Sequence, residues 1–295
     1  MSFQFKRGSP SDDALLTVEP FLWLLKNADI FGHPNWKYTP KFGPAASRGN
    51  SVELAVPMRI LHGATLDEAT YKCRQDFLQR IKKESAEYCD EKELREYDNI
   101  EYFINQLYIA IDSDDFKKLG LGKLISTQTA HKADIPTPHG PRGCLGYTDF
   151  KHQKKGKVKK QYKVGRANSN AKKYAYWDLK TTNSNRLEFN ENHQTQLGFY
   201  ADVSGCEQHI VYVRPSTGLT PGGKKSTAKG FAIHTLTDEQ RIRAKSKRHA
   251  RAALAMRLYS MGWDAAMAVS MPKDTSSFYW DDQARKFAKD IWGLV

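Results

Sequence analysis

The chain reads as a layered α/β or α+β protein, not a Rossmann repeat. Three observations lead there: helical periodicity fills the N-terminal third, short alternating strands fill the middle, and a long capped basic helix follows them. With 295 residues, 40% of them hydrophobic, the chain can bury a sizeable core in a single domain.

The elements follow in order. Thr65-Leu66-Asp67-Glu68 is a capping-box pattern, after which Ala69, Cys73, Phe77 and Ile81 recur at helical spacing. A second helix is expected over 92–111, stopping before Asp112-Ser113-Asp114-Asp115. Residues 123–135 form a Thr- and Ile-rich strand closed by Pro136, Pro138 and Pro141. Two further strands are expected over 144–150 and 174–182, joined by a hairpin arm over 151–173 that carries ten Lys or Arg and no acidic residue. A helix over 192–202, a strand over 209–213 and a Gly- and Lys-rich loop tip over 217–229 come next. Thr237 and Gln240 then form a second capping-box pattern. It opens a helix expected to turn Ile242, Leu254, Leu258 and Met261 inward and its arginines outward, among them Arg241, Arg248 and Arg251.

Composition narrows the function. Forty-six Lys and Arg against 33 Asp and Glu leave a net charge of +13 and a pI near 9.4, which points to an anionic polymer partner. Cys73, Cys89, Cys144 and Cys206 lie far apart with no paired spacing, so reduced thiols are expected and neither zinc nor an iron–sulfur cluster. No nucleotide cofactor is expected. The apolar run from Phe21 to Leu25 falls far short of the roughly 20 residues of a membrane span. A cytoplasmic protein without a membrane partner is the default expectation, in the host cytoplasm if the source is viral.

The chemistry concentrates at Trp177-Asp178-Leu179-Lys180. In a strand, Asp178 and Lys180 share one face while Trp177 and Leu179 share the other. Alone, the pair reads as an ordinary ion pair on an exposed face. Asp149, in the strand before the arm, changes this, because an antiparallel hairpin brings it beside Asp178. Two adjacent carboxylates repel unless a cation lies between them. Hard oxygen ligands favour Mg²⁺ or Mn²⁺, which polarises a phosphodiester and lowers the pKa of a bound water. Lys180 is placed to orient that water or to stabilise developing charge.

This order, Asp149, a hairpin, then Asp178-Leu179-Lys180, resembles the PD-(D/E)xK nuclease superfamily. Gln196 and Tyr200 are similar to the QxxxY motif of its RecB-like, phage-type exonuclease branch, and Gly49 to Glu53 is similar to the GxxxH/E motif. The resemblance covers roughly residues 45 to 205. Thr148 stands where the superfamily's proline would precede the acid, and the cysteines that hold a cluster in some members are lacking. The resemblance implies a restriction-endonuclease-like core, a central mixed sheet flanked by helices. It also implies a metal site of Glu53, Asp149, Asp178 and the Leu179 carbonyl, with His62 as the weaker alternative to Glu53. Lys180 assists the attacking water, while Gln196 and Tyr200 position the strand; His193, on the same helical face, reads as a surface histidine. The implied activity is DNA exonuclease, in phage or recombination and repair processing of single- or double-stranded DNA. A second copy or a recombination protein is the implied partner. A structure-specific or restriction-type endonuclease and a non-catalytic DNA-binding protein are the alternatives. Lys154, Lys155, Lys159, Lys160 and Tyr162 of the arm are expected to track DNA, with Arg241, Arg248 and Arg251 on the opposite wall of a groove.

Overall fold

The computed structural model describes residues 8–9, 12–32, 43–84, 91–155, 173–184, 186–215, 230–270, 280 and 282–292. A 3-10 turn, Asp12–Thr17, precedes α1 (Pro20–Lys26). Next come α2 (Pro44–Glu53), α3 (Ala55–His62), α4 (Leu66–Glu84), α5 (Glu91–Asp112) and the short α6 (Asp114–Lys117). The middle contains β1 (Leu121–Ile135), β2 (Arg142–Lys154), β3 (Tyr174–Thr181), α7 (Glu191–Ser204), β4 (Glu207–Val213) and β5 (Phe231–Thr235). The helices α8 (Asp238–Met261), α9 (Trp263–Val269) and α10 (Asp282–Trp292) complete the described elements.

Five strands form one mixed sheet in the order β1-β2-β3-β4-β5. All neighbours are antiparallel except β3 and β4, which run parallel through the α7 crossover. The mixed α/β architecture is therefore as expected. Alternation along β3 divides its side chains between two layers. Trp177 and Leu179 enter a core with Val52, Phe77, Phe103, Leu107 and Val211, supplied by α2, α4, α5 and β4. The opposite face of the sheet meets α7 and α8 through Cys144, Leu197, Tyr200, Ile210, Tyr212 and Ala252.

Local signals explain the helices. Thr65 and Glu68 exchange hydrogen bonds at the start of α4, and Ala69, Cys73, Phe77 and Ile81 are buried along it. On α5, Ile100, Phe103, Ile104 and Leu107 repeat at the three- and four-residue spacing of one helical face. Both halves of the Thr237–Gln240 capping box are present at α8. The apolar run of α1 is a core segment, packed with α8, α9 and α10. Among the described residues no helix is long and apolar enough to cross a membrane. Cys73, Cys144 and Cys206 are buried free thiols, and Cys89 lies outside the described residues.

The orientation of α8 departs from the expectation. Ile242 and Met261 are exposed, whereas Arg241, Arg248 and Arg251 are buried. The reason lies in α7. A Cβ on Gly198 would come within 3.1 Å of the Ala244 Cβ and 2.7 Å of Arg248 Nη1, so the two helices approach closely through small residues. Asp202 on α7 receives both Arg241 and Arg248, and Asn192 accepts from Arg251 Nη2 at 2.8 Å. Buried guanidinium groups need such partners. These arginines hold α8 to α7 and are not available as an outer wall.

Candidate active site

The β2–β3 ladder pairs Gln153 with Tyr174 through to Phe150 with Trp177, and there it ends. One step further, side chains take over the hydrogen bonding. The Asp149 N–H donates to Asp178 Oδ1 at 3.3 Å, and the Leu179 N–H donates to Asp149 Oδ2 at 2.8 Å. Each carboxylate thus satisfies the backbone of the opposing strand. Asp178 is fully buried and Asp149 nearly so. Lys180, about a quarter exposed, places Nζ 3.3 Å from Asp178 Oδ2.

Glu53 arrives from α2. Its helix lies close to the end of β3 because position 49 has no side chain: a Cβ there would sit 2.9 Å from Thr181 Oγ1. Glu53 follows one helical turn after Gly49 and lines a cleft of about 360 Å³ with Asn50, Arg80, Gln128 and Asp149. The Gln128 amide Nε2 donates to Glu53 Oε2 at 3.1 Å and to Asp149 Oδ1 at 3.3 Å. A second cleft, on the α7 side of Lys180, is lined by Leu15, Asn192, His193 and Gln196.

The electrostatics follow from this crowding. Burial first, then Asp149, pushes the Asp178 carboxyl up to about 7. Burial and the Asp149 carboxylate push Glu53 up to about 8. Asp149 is also raised by burial, against the pull of Lys180, the Leu179 N–H and Gln128. Burial works against the charge of Lys180, but Asp178, Asp149 and Glu53 outweigh it and hold the ammonium above the ordinary lysine range.

A stability prediction follows. Carboxylic acids whose folded pKa values lie above their unfolded values bind more protons folded than unfolded. The contribution of these carboxyl groups to stability then falls as pH rises from about 4, the unfolded carboxylate range, to about 8. Buried histidines with lowered pKa values, His131, His193 and His209, contribute in the opposite direction below about 6.5. In EDTA, the melting temperature of wild type is therefore expected to fall by a few degrees relative to that of Asp178→Asn between pH 5 and 8, since the histidine contribution is common to both. A difference between the two melting temperatures that stays constant from pH 5 to 8 would contradict the carboxylate cluster.

The other expected site residues divide. Tyr200 is buried and cannot touch a DNA strand; its hydroxyl accepts from Gln196 Nε2 at 2.8 Å, so it holds Gln196 at the rim of the second cleft. Gly146 makes room for the Tyr200 ring, since a Cβ there would lie 2.6 Å from Cε1. His193 is half-buried rather than a plain surface residue: Nδ1 lies 2.6 Å from the Tyr212 hydroxyl, and burial lowers its pKa to about 4. His62 is exposed at the end of α3 and does not line the cleft. Lys154, expected on DNA, is mostly covered and paired with Glu207. Lys155 is exposed, and Lys159, Lys160 and Tyr162 lie outside the described residues, as does the expected tip, 217–229. Tyr176 is buried, and the Lys151 ammonium sits 4.1 Å over the Tyr174 ring. The Leu179 side chain faces the core, and its N–H serves Asp149.

Arg80 and Gln128 are site residues that the sequence did not reveal. Arg80 is one basic residue among several on α4, and Gln128 opposes Asp149 only through a strand register that no local motif announces. Among the described residues no three His, Cys, Asp or Glu side chains form a ready-made metal cluster. What the cleft offers is hard oxygen donors from Glu53 and Asp149, with the Asp178 carboxylate buried behind Asp149, all held by N–H groups. That chemistry fits Mg²⁺ or Mn²⁺.

Compared with protein-family models and with curated proteins, the chain finds no match. Among solved structures, the crystal structure of SSO0001 aligns with a TM-score of 0.28 and 12% identity, over 77% of this chain and 83% of that one. This likeness is too loose to carry an argument.

Proposed function

We propose that the protein is a metal-dependent DNA nuclease of the PD-(D/E)xK type that hydrolyses phosphodiester bonds from DNA ends. The observation that carries this reading is the meeting of Asp149, Asp178 and Lys180 where the β2–β3 ladder ends, with Glu53 in the same cleft as Asp149. A structural ion pair needs one carboxylate per ammonium. Here three share one lysine: burial raises all of them, Asp149 raises Asp178, and both raise Glu53, an arrangement that destabilises the fold and suits a bound cation.

Asp149, Asp178 and Glu53 would hold Mg²⁺ or Mn²⁺. The ion supplies Lewis acidity and a water of lowered pKa. Lys180 stays protonated through the neutral range because its carboxylate neighbours hold its pKa up. It therefore serves as a fixed positive charge toward the phosphate rather than as a base. Gln196, held by Tyr200, borders the same ammonium from the second cleft.

The test is cleavage of labelled linear and closed circular DNA, single- and double-stranded, in Mg²⁺, Mn²⁺ or EDTA. Linear DNA is expected to shorten from its ends in either metal and to survive in EDTA. The inward turn of Arg241, Arg248 and Arg251 removes one basic wall from a threading channel, and this favours endonuclease action as the second reading. Internal cutting of closed circles would decide for it, and binding without cleavage would leave a DNA-binding protein.

Glu53→Ala is expected to raise the Mg²⁺ concentration for half-maximal activity by at least about 10- to 100-fold, the range found when groups that only support ligands are lost. Glu53→His is expected to retain activity better in Mn²⁺ than in Mg²⁺, since imidazole suits transition metals. An unchanged Mg²⁺ titration in Glu53→Ala would remove Glu53 from the site.

A further inference from the structure

Gln128 has a φ of 51°, the single positive value outside glycine among the described residues. L-residues other than Gly, Asn and Asp seldom adopt that conformation. The irregularity is also visible beside it. Residues three apart in a strand point to opposite faces, yet the Ser126 and Thr129 hydroxyls lie 3.0 Å from each other. The backbone is therefore bent at this position, and the bend aims one carboxamide at two carboxylates, Glu53 Oε2 at 3.1 Å and Asp149 Oδ1 at 3.3 Å. The atom between them is the amide nitrogen, which donates to both.

We propose that Gln128 is a built-in competitor for the divalent cation: its amide holds one oxygen of each of two carboxylates that would ligate the cation, and the left-handed backbone at 128 keeps it aimed there. The inference rests on the metal-dependent reading above and makes Gln128 a positioning residue of that centre. An NH₂ group has no lone pair for a cation, so a cation drawn to these two oxygens would have to displace it. The affinity of the site would be lowered by what its two hydrogen bonds contribute. A purely structural role for Gln128 has the opposite sign, because loosening the carboxylates would weaken cation binding.

The sign is measurable without any DNA. Mn²⁺ is titrated into EDTA-treated and desalted wild type, Gln128→Ala and Gln128→Gly, with free Mn²⁺ followed by its electron paramagnetic resonance signal. Both variants are expected to bind Mn²⁺ more tightly than wild type, on the order of tenfold. Gln128→Gly is also expected to melt at a higher temperature than Gln128→Ala, since glycine accepts the left-handed backbone without strain. If Gln128→Ala does not fold, Gln128→Gly carries the test alone. Wild type that binds Mn²⁺ with variants equal to it or weaker overturns this inference and leaves the metal-dependent reading standing. Wild type that takes up no Mn²⁺ overturns both.

Discussion

Asp178→Asn is expected to abolish DNA cleavage, a fall on the order of 10³-fold or more, while leaving the protein at least as stable as wild type at pH 8. The two effects share one cause. Asp178 is fully buried beside Asp149, and an amide of the same shape removes a charge that the fold tolerates poorly. Lys180→Ala is expected to lose activity to a similar degree but to move stability the other way, because it strips the carboxylates of their nearest cation. DNA affinity in EDTA should change little in Asp178→Asn. Single-turnover cleavage and thermal melts of the two variants check this crossed pattern. Near-wild-type turnover by either one would sink the proposed centre.

Arg48→Ala is expected to cost about 3–5 kcal/mol, the usual penalty for leaving one partner of a buried ion pair alone. Arg48 and Glu96 are 2% and 3% exposed and paired with each other. The Arg48 guanidinium also lies 4.1 Å over the Phe103 ring and donates to Thr181 Oγ1 at 3.3 Å. A double variant, Arg48→Met with Glu96→Leu, is expected to recover much of the loss, since it removes both charges and keeps the volume. Urea unfolding of the single and double variants measures both terms. A loss below about 1 kcal/mol in Arg48→Ala would mean the pair is open to solvent.

The parts of this molecule legible in the sequence are those set by short-range physics. The Thr65–Glu68 and Thr237–Gln240 capping boxes mark helix starts whatever surrounds them. Strand alternation alone separates Asp178 and Lys180 from Trp177 and Leu179, and the hairpin order brings Asp149 to Asp178. What stayed hidden depends on partners far along the chain. The arginines of α8 look like a solvated face until Asp202 and the bare Cα of Gly198 are set against them. Tyr200 reads as a residue that positions the DNA strand until Gly146 opens a slot for its ring. Gln128 looks like any polar strand residue until the β1–β2 register sets it opposite Asp149, between Thr127↔Phe150 and Thr129↔Thr148.

The parallel pairing of β3 with β4 has a consequence for how the centre comes into being. Asp178 and Lys180 sit on a strand whose neighbours are β2 on one side and β4 on the other, and β4 is reached only after the α7 crossover. The Arg48–Thr181 hydrogen bond closes a loop of 133 residues, so the anchor of α2 forms against a large entropy of chain closure. Contacts of such long sequence separation form slowly. A growing chain that has passed Lys180 already contains Glu53, Asp149 and Asp178, yet without β4 the strand that carries the last of them has one edge unpaired. Assembly of the acidic centre is therefore expected late in folding, and a chain cut short before Glu207, where β4 begins, would hold its residues without the strand that pairs with them.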